Sequence, residues 1–479
     1  MTPIIPGGAC HRHTIEIVTR ILRIARCLAW SGMIPLLAGP LPRPYTAESY
    51  SVSIRADLAK QLLSGEAVIR FHSLVDNPVS ALELDAGGLE IVSVVEGQTP
   101  LWFERKGGNL VVVLTAPLRE EEHRAITVRY RAGPAAGLKF FPDQIYTSLI
   151  SDWMPCNDRP GERATLHLTI TAPPDAKVAA SGQLTATRAS EGQSITEWQL
   201  DAPTAPFRFG FALGGFAENT SEAEDVKLRV LGAGAPVFDA TTAAMKFLAD
   251  RSGKHYPGPT YTQVFVHGDA IHAMAAGLTL LPESYPQALA ARQPDALRGF
   301  ASALAQQWYG IGIALKDWSD LWLSEGISAF LADSYLGQQL GAESYEKQIE
   351  HSREIYNQLR AAGKDRPLSY TDWTTHQDAG GEIPAYKGVC FLYLLHGLEG
   401  DGVFWEALRS YTARQWGQAA SSEDFQNAFE AIGMGKTTTG KKGATASKNN
   451  GKKATKNNPK TLDNLFDLWV FGFPSTVAK

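Results

Sequence analysis

The chain has 479 residues, of which 44% are hydrophobic and 20% are charged, a composition typical of folded domains with buried cores. At about 150 residues per domain, this length predicts roughly three domains. The formal net charge is −5, but eight lysines and no acidic residue lie in residues 436–460, so the rest of the chain carries −13. A body this acidic argues against a nucleic-acid-binding protein, because the positive charge is confined to one segment.

Residues 1–44 form a leader with features of a secretory signal. Four arginines and a single acidic residue precede the uncharged run CLAWSGMIPLLAGPLP. A basic segment followed by an apolar stretch of this length is typical of a signal sequence, and the stretch is too short to span a bilayer. We expect an extracytoplasmic or secreted protein if the leader is a signal. If it is an amphipathic leader that stays attached, we expect a cytoplasmic one.

Residues 45–217 are predicted to form an all-β sandwich. Runs such as SVSIRADL, GEAVIRFHSLV, AITVRYRA, ATLHLTITAP and FRFGFALGGF are short, mostly alternating and rich in β-branched residues. Glycine, proline and aspartate separate them at the spacing that sandwich strands show. We therefore expect each of these runs to be one strand.

Residues 218–435 are predicted to form an α+β domain with a helical second half. VKLRVLGAG and YTQVFVHGD indicate strands, whereas apolar residues recur at helical spacing in DALRGFASALAQQWYG and SDLWLSEGISAFLADSYLGQQLG. Residues 436–460 contain no aromatic or large aliphatic side chain, so burial cannot offset their chain entropy and we predict a disordered lysine-rich insertion. Residues 461–479 resume the apolar pattern and are assigned to the end of the same domain.

The segment SALAQQWYGIGIALKDWSDLWLSEGISAF has the spacing of a zinc-binding helix pair but lacks most of the metal ligands. Such a pair places two histidines four residues apart on one helix face, a glutamate beside the first as general base, and a carboxylate on the next helix. Here Ser302 and Gln306 occupy the histidine positions and Ala303 that of the base, and eighteen residues separate Gln306 from Glu325. A hydroxyl and an amide are poor zinc ligands, so we expect no cofactor, and zinc only if the site is rebuilt.

Several segments, in order along the chain, resemble the aminopeptidase N-like family of gluzincin zinc metallopeptidases. DWSDLWLSEGISAF resembles the family's ligand-bearing second helix, DWMPCNDRPGERATLHLTITAP its approach to the second domain, and AYKGVCFLYLL the segment of its catalytic tyrosine. The similar segments span about residues 145–474. The resemblance implies a β-sandwich followed by a thermolysin-like domain, with Glu325 at the third metal-ligand position and Tyr386 at the tyrosine position.

The same resemblance implies that several functional groups have been lost. The two histidine positions and the base position carry the residues named above. HAMAAGLTLLPESY matches the family's amine-binding segment approximately, and there Met274 is followed by Ala275 where the family has glutamate. We expect Met274, Ala275 and Gly277 to line the substrate cleft. The sequence thus predicts a metallopeptidase-family protein that is catalytically inactive, with a cleft that can still bind peptides or a protein.

Two other classes of function stay open. An active metallopeptidase or hydrolase with an altered or relocated metal site would use His267, His272 and Glu325, and Ser302 with either histidine would form a nucleophile–base pair, although the usual nucleophile-elbow motif is missing. A tethering module would act through the basic insertion, since clustered lysines attract polyanions. No membrane span is expected.

The retained groups also have structural interpretations. Glu325 is expected to pair with Lys387, Arg298 or water. Asp320 and Trp322 are expected to pack and hydrogen-bond between helices. Tyr386 is expected to hydrogen-bond at the wall of the cleft.

Overall fold

The computed structural model describes residues 43–232, 237–268, 273–371, 381–439 and 459–472. Within these ranges, no helix combines the length and the apolar character needed to cross a bilayer. Residues 1–42 of the predicted leader and residues 440–458 of the insertion lie outside the described part of the chain.

The N-terminal domain consists of short strands in which buried and more exposed residues alternate, as the alternating sequence predicts. Its largest sheet has the strand order β13-β14-β11-β1-β2-β8-β4-β5, and two smaller sheets have the orders β12-β15-β10-β9 and β3-β7-β6. The strands are β1 (Tyr45–Asp57), β2 (Leu62–Ser73), β3 (Val79–Asp85), β4 (Glu90–Glu96), β5 (Thr99–Pro100), β6 (Phe103–Lys106), β7 (Asn109–Leu118), β8 (His123–Ala132), β9 (Leu138–Phe140), β10 (Gln144–Thr147), β11 (Ala164–Ala172), β12 (Lys177–Ala180), β13 (Gln183–Ser190), β14 (Gln193–Thr204) and β15 (Phe211–Gly214).

The strands after residue 217 are β16 (Glu218–Ala223), β17 (Val226–Leu231), β18 (Thr260–Val266), β19 (Ala273–Ala275), β20 (Leu278–Pro282), β21 (Ala314–Leu315) and β22 (Ala419–Ala420). Five of them form a second sheet with the order β16-β17-β18-β20-β19, in which β19 is an outer strand. The central strands β17, β18 and β20 are parallel, and β19 runs antiparallel to β20.

Helices make up most of the chain after β20, and their apolar faces share one core with the second sheet. They are α1 (Phe238–Ser252), α2 (Tyr285–Ala290), α3 (Pro294–Ala305), α4 (Trp322–Leu340), α5 (Ala342–Ala361), α6 (Gly388–Glu399), α7 (Asp401–Gln415), α8 (Ser422–Thr439) and α9 (Pro459–Phe466), with short 3₁₀ or π turns at Ile150–Asp152, Pro206–Arg208, Trp318–Asp320, Ile383–Lys387 and Asp467–Phe471. The predicted fold class, a β-sandwich followed by an α+β domain with a helical second half, is confirmed.

Two local predictions differ from the structure. FRFGFALGGF is not one strand: Pro206–Arg208 form a 3₁₀ turn, and β15 begins only at Phe211. The helices α8 and α9 extend into both ends of the insertion, so residues 436–439 and 459–460 are helical where we expected disorder. Once a helix has formed, each further turn closes hydrogen bonds at little cost, so a polar sequence can continue it.

The interhelical role expected for Asp320 and Trp322 is confirmed. Asp320 Oδ1 accepts hydrogen bonds from the backbone N–H and the hydroxyl of Ser422, both at 2.8 Å, and Trp322 Nε1 donates to the same hydroxyl at 2.9 Å. Ser422 begins α8, so Asp320 satisfies a backbone donor that the helix itself leaves free. Burial raises the pKa of Asp320 to about 6, against the lowering effect of these bonds.

Candidate functional site

The helices α3 and α4 lie antiparallel, and polar side chains bridge them at two levels. Arg298 Nε donates to Asp333 Oδ1 at 2.6 Å, and Gln306 Nε2 donates to Glu325 Oε2 at 3.1 Å. Arg298 and Gln306 are eight residues apart, as are Glu325 and Asp333. Equal spacing on both helices means that a single register holds over about two turns. The eighteen-residue spacing therefore brings positions 306 and 325 together.

The other positions of the zinc pattern supply no strong ligand or base. The α3–α4 register places Ser302 opposite Ala329, between the two polar bridges. The side chain of Ala303 is buried, with 2% of its surface exposed. A methyl group at that position cannot accept a proton.

A buried arginine, Arg208, lies beside Gln306. It belongs to the 3₁₀ turn before β15, and 4% of its surface is exposed. Its Nη1 donates to Gln306 Oε1 at 3.0 Å and its Nη2 to Ser324 Oγ at 3.1 Å. The hydroxyl of Ser324 in turn donates to the backbone oxygen of Tyr309 at 2.6 Å. The Gln306 amide thus accepts from the guanidinium with its oxygen and donates to the Glu325 carboxylate with its nitrogen. Sequence reasoning missed Arg208 completely.

Burial and charge act against each other in this cluster. Loss of hydration raises the pKa of Glu325, although part of its surface remains accessible, while the charge of Arg208 and the hydrogen bond from Gln306 act to lower it. Burial likewise lowers the pKa of Arg208, opposed by the charge of Glu325. Because an arginine stays protonated in proteins, a fixed positive charge faces the retained carboxylate.

Gly310 leaves room for the guanidinium of Arg208, and Phe207 packs against it. Gly310 has a φ of +146°, and a Cβ there would lie 2.7 Å from Arg208 Nη2 and 2.7 Å from Ser324 Oγ. Any larger residue would therefore displace the arginine. On its other side, the guanidinium carbon of Arg208 lies 4.7 Å from the centre of the Phe207 ring.

Tyr386 lies in the π turn that leads into α6. The turn reaches α4 because two glycines meet there: a Cβ added to Gly388 would lie 2.8 Å from Gly326 Cα. The ring of Tyr386 packs edge-on against His351, with ring centres 6.2 Å apart. His351 belongs to α5, so Tyr386 packs against that helix.

The expected pairing of Glu325 with Lys387 or Arg298 is wrong. Lys387 Nζ contacts Asp365 Oδ1 at 2.8 Å and the backbone oxygen of Arg366 at 2.5 Å. Arg298 is held by Asp333, two turns along the helix pair from Glu325. Each of these two cations therefore pairs with a different carboxylate. The hydrogen-bond partner of Glu325 is Gln306, which in turn accepts a hydrogen bond from Arg208 of the N-terminal domain.

The predicted cleft residues lie on β19 and the turn after it. Met274 pairs with Thr279 across the β19–β20 ladder. The side chain of Gln307 holds the other two: its Nε2 donates to the backbone oxygen of Ala275, and its Oε1 accepts from the backbone N–H of Gly277, both at 3.0 Å. Gln307 follows the zinc-pattern position 306, so α3 and β19 are connected directly. No sequence pattern indicates this contact.

Of the three residues considered for a relocated metal site, the structure describes His267 and Glu325. His267 is occupied on both ring nitrogens, with Nδ1 at 2.6 Å from Glu283 Oε2 and Nε2 at 3.2 Å from Asp143 Oδ1. Burial lowers the pKa of His267, but these two hydrogen bonds outweigh it and raise the pKa. His272 lies outside the described residues. In the described part of the chain, Glu325 belongs to no group of three or more histidine, cysteine or carboxylate ligands lying within 4.8 Å of one another.

The side chains around Glu325 do not fit a zinc ion. Zinc in proteins takes imidazole, thiolate and carboxylate ligands, usually three of them in a catalytic site. Here one carboxylate stands beside a primary amide, and the amide oxygen already accepts from a guanidinium. A divalent cation at this point would meet a fixed positive charge.

Comparisons with known proteins agree with this fold. Residues 237–442 match the family model described as the peptidase family M1 domain. The chain is 24% identical over 430 residues to Aminopeptidase Ey of Gallus gallus, an alignment that covers 78% of this chain and 44% of that protein. The domain match and the aminopeptidase relatives support a relationship to the aminopeptidase N-like family. The chain spans about half the length of the curated relatives that it matches, as the 44% coverage shows.

Solved M1 structures share its architecture. The M1 zinc metallopeptidase from Deinococcus radiodurans superimposes with a TM-score of 0.67 at 22% identity, covering 81% of this chain and 91% of that one. A mutant of that metallopeptidase bound to the substrate Tyr-Ser-Ala gives a TM-score of 0.66 at 23% identity, with the same coverage. At this level of identity the similarity shows that the M1 fold is common to both.

Proposed function

We propose that this M1-family protein is catalytically inactive as a peptidase and that its cleft binds peptides without cleaving them. The observation that carries the proposal is the buried guanidinium of Arg208, which reaches the retained Glu325 carboxylate through Gln306. The cluster compensates the carboxylate charge without a metal. Glu325 then serves to hold the two domains together, and its acidic group is not free to bind an ion.

The loss of the base position supports the same conclusion. A general base contributes typically ~10²–10⁴ to a rate, and Ala303 offers none. Metal-assisted hydrolysis also needs a metal ion as Lewis acid and a water activated by that ion. The side chains around Glu325 do not offer the ligands to bind such an ion. Tyr386 alone supplies neither function, so we expect no turnover of peptide substrates.

Peptide binding is supported by the outer position of β19. The outer strand of a sheet leaves backbone groups that an extended peptide can pair with. Gln307 holds this strand at Ala275 and the following turn at Gly277, with one hydrogen bond each. A mutant of the related metallopeptidase from Deinococcus radiodurans is bound to the substrate Tyr-Ser-Ala. Because Ala275 supplies no carboxylate for a free amine, we propose recognition through the peptide backbone, with no preference for a free N-terminus.

Three measurements on tag-free protein prepared without chelator test the proposal. Elemental analysis gives the zinc content of the wild type and of Glu325→Ala, turnover is measured with a panel of aminoacyl-coumarin substrates, and fluorescence anisotropy measures the binding of labelled peptides. We expect the same zinc content in both proteins, no turnover above the Glu325→Ala background, and equal affinity for peptides with free and acetylated N-termini. Zinc that is lost in Glu325→Ala, or turnover that a chelator abolishes, would contradict inactivity. Absence of peptide binding would remove the second half of the proposal.

The role of the basic insertion stays a prediction from charge, because residues 440–458 lie outside the described part of the chain. Deleting them and repeating a salt titration with a polyanion such as heparin tests it. Salt-sensitive binding that the deletion abolishes would favour tethering through this segment.

A further inference from the structure

Three side chains with metal-binding groups converge on the β-sandwich, outside the M1 domain. His72 on β2 and His123 on β8 are directly opposite each other in the antiparallel ladder, with ring centres 5.1 Å apart. Glu48 Oε1 lies 2.8 Å from His72 Nδ1 and 2.5 Å from His123 Nδ1. One potential ligand atom from each side chain lies within 4.8 Å of the other two. All three side chains are at least partly accessible to solvent, so an ion can reach them.

A break in the strand register brings Glu48 to the histidines. In the β1–β2 ladder, Ala47 pairs with Phe71 and Ser49 pairs with Arg70, so Glu48 is the extra residue of a bulge. A bulge redirects a side chain that regular pleating would point elsewhere. The neighbouring Phe71 is buried in the sandwich core, which places His72 on the opposite face of the sheet.

We propose that Glu48, His72 and His123 form a binding site for a divalent first-row transition metal, with zinc the best match. Two imidazoles and one carboxylate are donors that zinc prefers, and three protein ligands leave a fourth position for water or for a group from a partner. Zinc ligands at bond lengths of about 2.05 Å in a tetrahedron are about 3.3 Å apart. The present separations of 2.5 and 2.8 Å therefore widen by less than about 1 Å, which side-chain rotation can supply.

When the metal binds, His72 and His123 change tautomer, and a neutral imidazole keeps its single ring proton. In the metal-free protein, Nδ1–H of each imidazole can donate to the same Glu48 oxygen. When Nδ1 binds the metal, the ring proton moves to Nε2.

This site differs from the M1 cleft in its charge. The contacts described for the Glu48 carboxylate are the two imidazoles, whereas the Glu325 carboxylate faces the permanent cation of Arg208. If the purified protein carries zinc, the ion therefore lies on the sandwich and not in the cleft. Because the three ligands come from β1, β2 and β8, which are consecutive in the large sheet, the ion also cross-links these three strands.

The test uses the full chain without a histidine tag, stripped of metal and titrated with Zn²⁺ at pH 7.5 against a chromogenic chelator. We expect one equivalent in the wild type, an affinity at least about 10-fold lower in His72→Ala, His123→Ala and Glu48→Gln, and no binding in the His72→Ala/His123→Ala double variant. A matched control is His255→Ala, which removes an exposed histidine whose Nδ1 lies 3.1 Å from a single carboxylate, that of Glu224.

His255→Ala and Glu325→Ala should bind Zn²⁺ as the wild type does. Co²⁺ should give visible absorption bands of a four-coordinate site in the wild type and lose them in the double variant. Thermal melts of the metal-free proteins check that the variants fold. Zn²⁺ should raise the melting temperature of the wild type and of the two control variants, and should leave that of the double variant unchanged. A wild type that binds no Zn²⁺, or a double variant that binds it unchanged, would overturn the proposal. Loss of binding in Glu325→Ala would do the same and would assign the ion to the cleft.

Discussion

Arg208 determines what is needed to build a zinc site at Glu325. The triple variant Ser302→His, Ala303→Glu and Gln306→His introduces the ligand and base types at the correct spacing from Glu325. We expect this triple variant to bind zinc poorly, because the guanidinium remains beside the ion. Adding Arg208→Met, which replaces the cation by an apolar side chain of similar length, should produce a zinc site.

The size of the effect follows from the contacts. Arg208 Nη1 lies 3.0 Å from the end of the Gln306 side chain. An imidazole at position 306 holds zinc about 2.0 Å from its nitrogen, so the ion and the guanidinium are separated by at most about 5 Å. At that distance a divalent and a monovalent cation repel by roughly 7 kcal/mol at an effective dielectric constant of ~20, and by roughly 2 kcal/mol in water. The fourth substitution should therefore tighten zinc binding by between about 20-fold and about 10⁵-fold.

Zinc affinity is measured by chelator competition in the His72→Ala/His123→Ala background, so that the cleft is the site observed. Arg208→Met alone is the control and should bind no zinc in the cleft. If the triple variant binds as tightly as the quadruple one, the electrostatic argument fails. If both fold and neither binds, the α3–α4 register described above is not the one that the protein has in solution.

Two further predictions concern carboxyls outside the cleft. Burial, with a smaller contribution from the charge of Asp85, raises the pKa of Asp158 from 3.8 to about 7. The folded state therefore binds this proton more tightly than the unfolded state does. The resulting contribution to the free energy of unfolding is complete below about pH 4 and is lost as the pH rises through 7. Asp158→Asn should remove most of this loss, which is at most about 4 kcal/mol, and thermal melts between pH 5 and 8 that run parallel in both proteins would contradict it. Asp320→Ala leaves the buried N–H of Ser422 without its acceptor and should lower the free energy of unfolding by about 2–3 kcal/mol in urea titrations, whereas a change below about 0.5 kcal/mol would show that the bond contributes little.

The contact at the centre of the site was predictable because it depends on local periodicity. The four-residue spacing of Ser302 and Gln306 and the eighteen residues before Glu325 are enough to place Gln306 against Glu325 once two helices are assumed. Arg208 lies 98 residues before Gln306 and comes from the other domain. No pattern in PFRF indicates such a contact, because it depends on how the two domains pack.

The same limit applies to the sandwich. Alternation along β1 and β2 predicts the strands but not which residue of TAES is the extra one in the bulge. A shift of one residue would turn Glu48 to the opposite face, away from His72 and His123. The partners of Arg298 and Lys387 were mispredicted for a similar reason, since each cation bonded to the carboxylate that the tertiary packing brought nearest.

The Arg208–Gln306–Glu325 cluster also constrains how this sequence can evolve. A histidine gained at position 302 or 306 alone recruits no ion while the guanidinium remains, and loss of the guanidinium alone leaves a dehydrated carboxylate without compensation. A path to a metallocentre at this position therefore needs coordinated substitutions in two distant segments, and we expect the intermediates to be less stable than either end point.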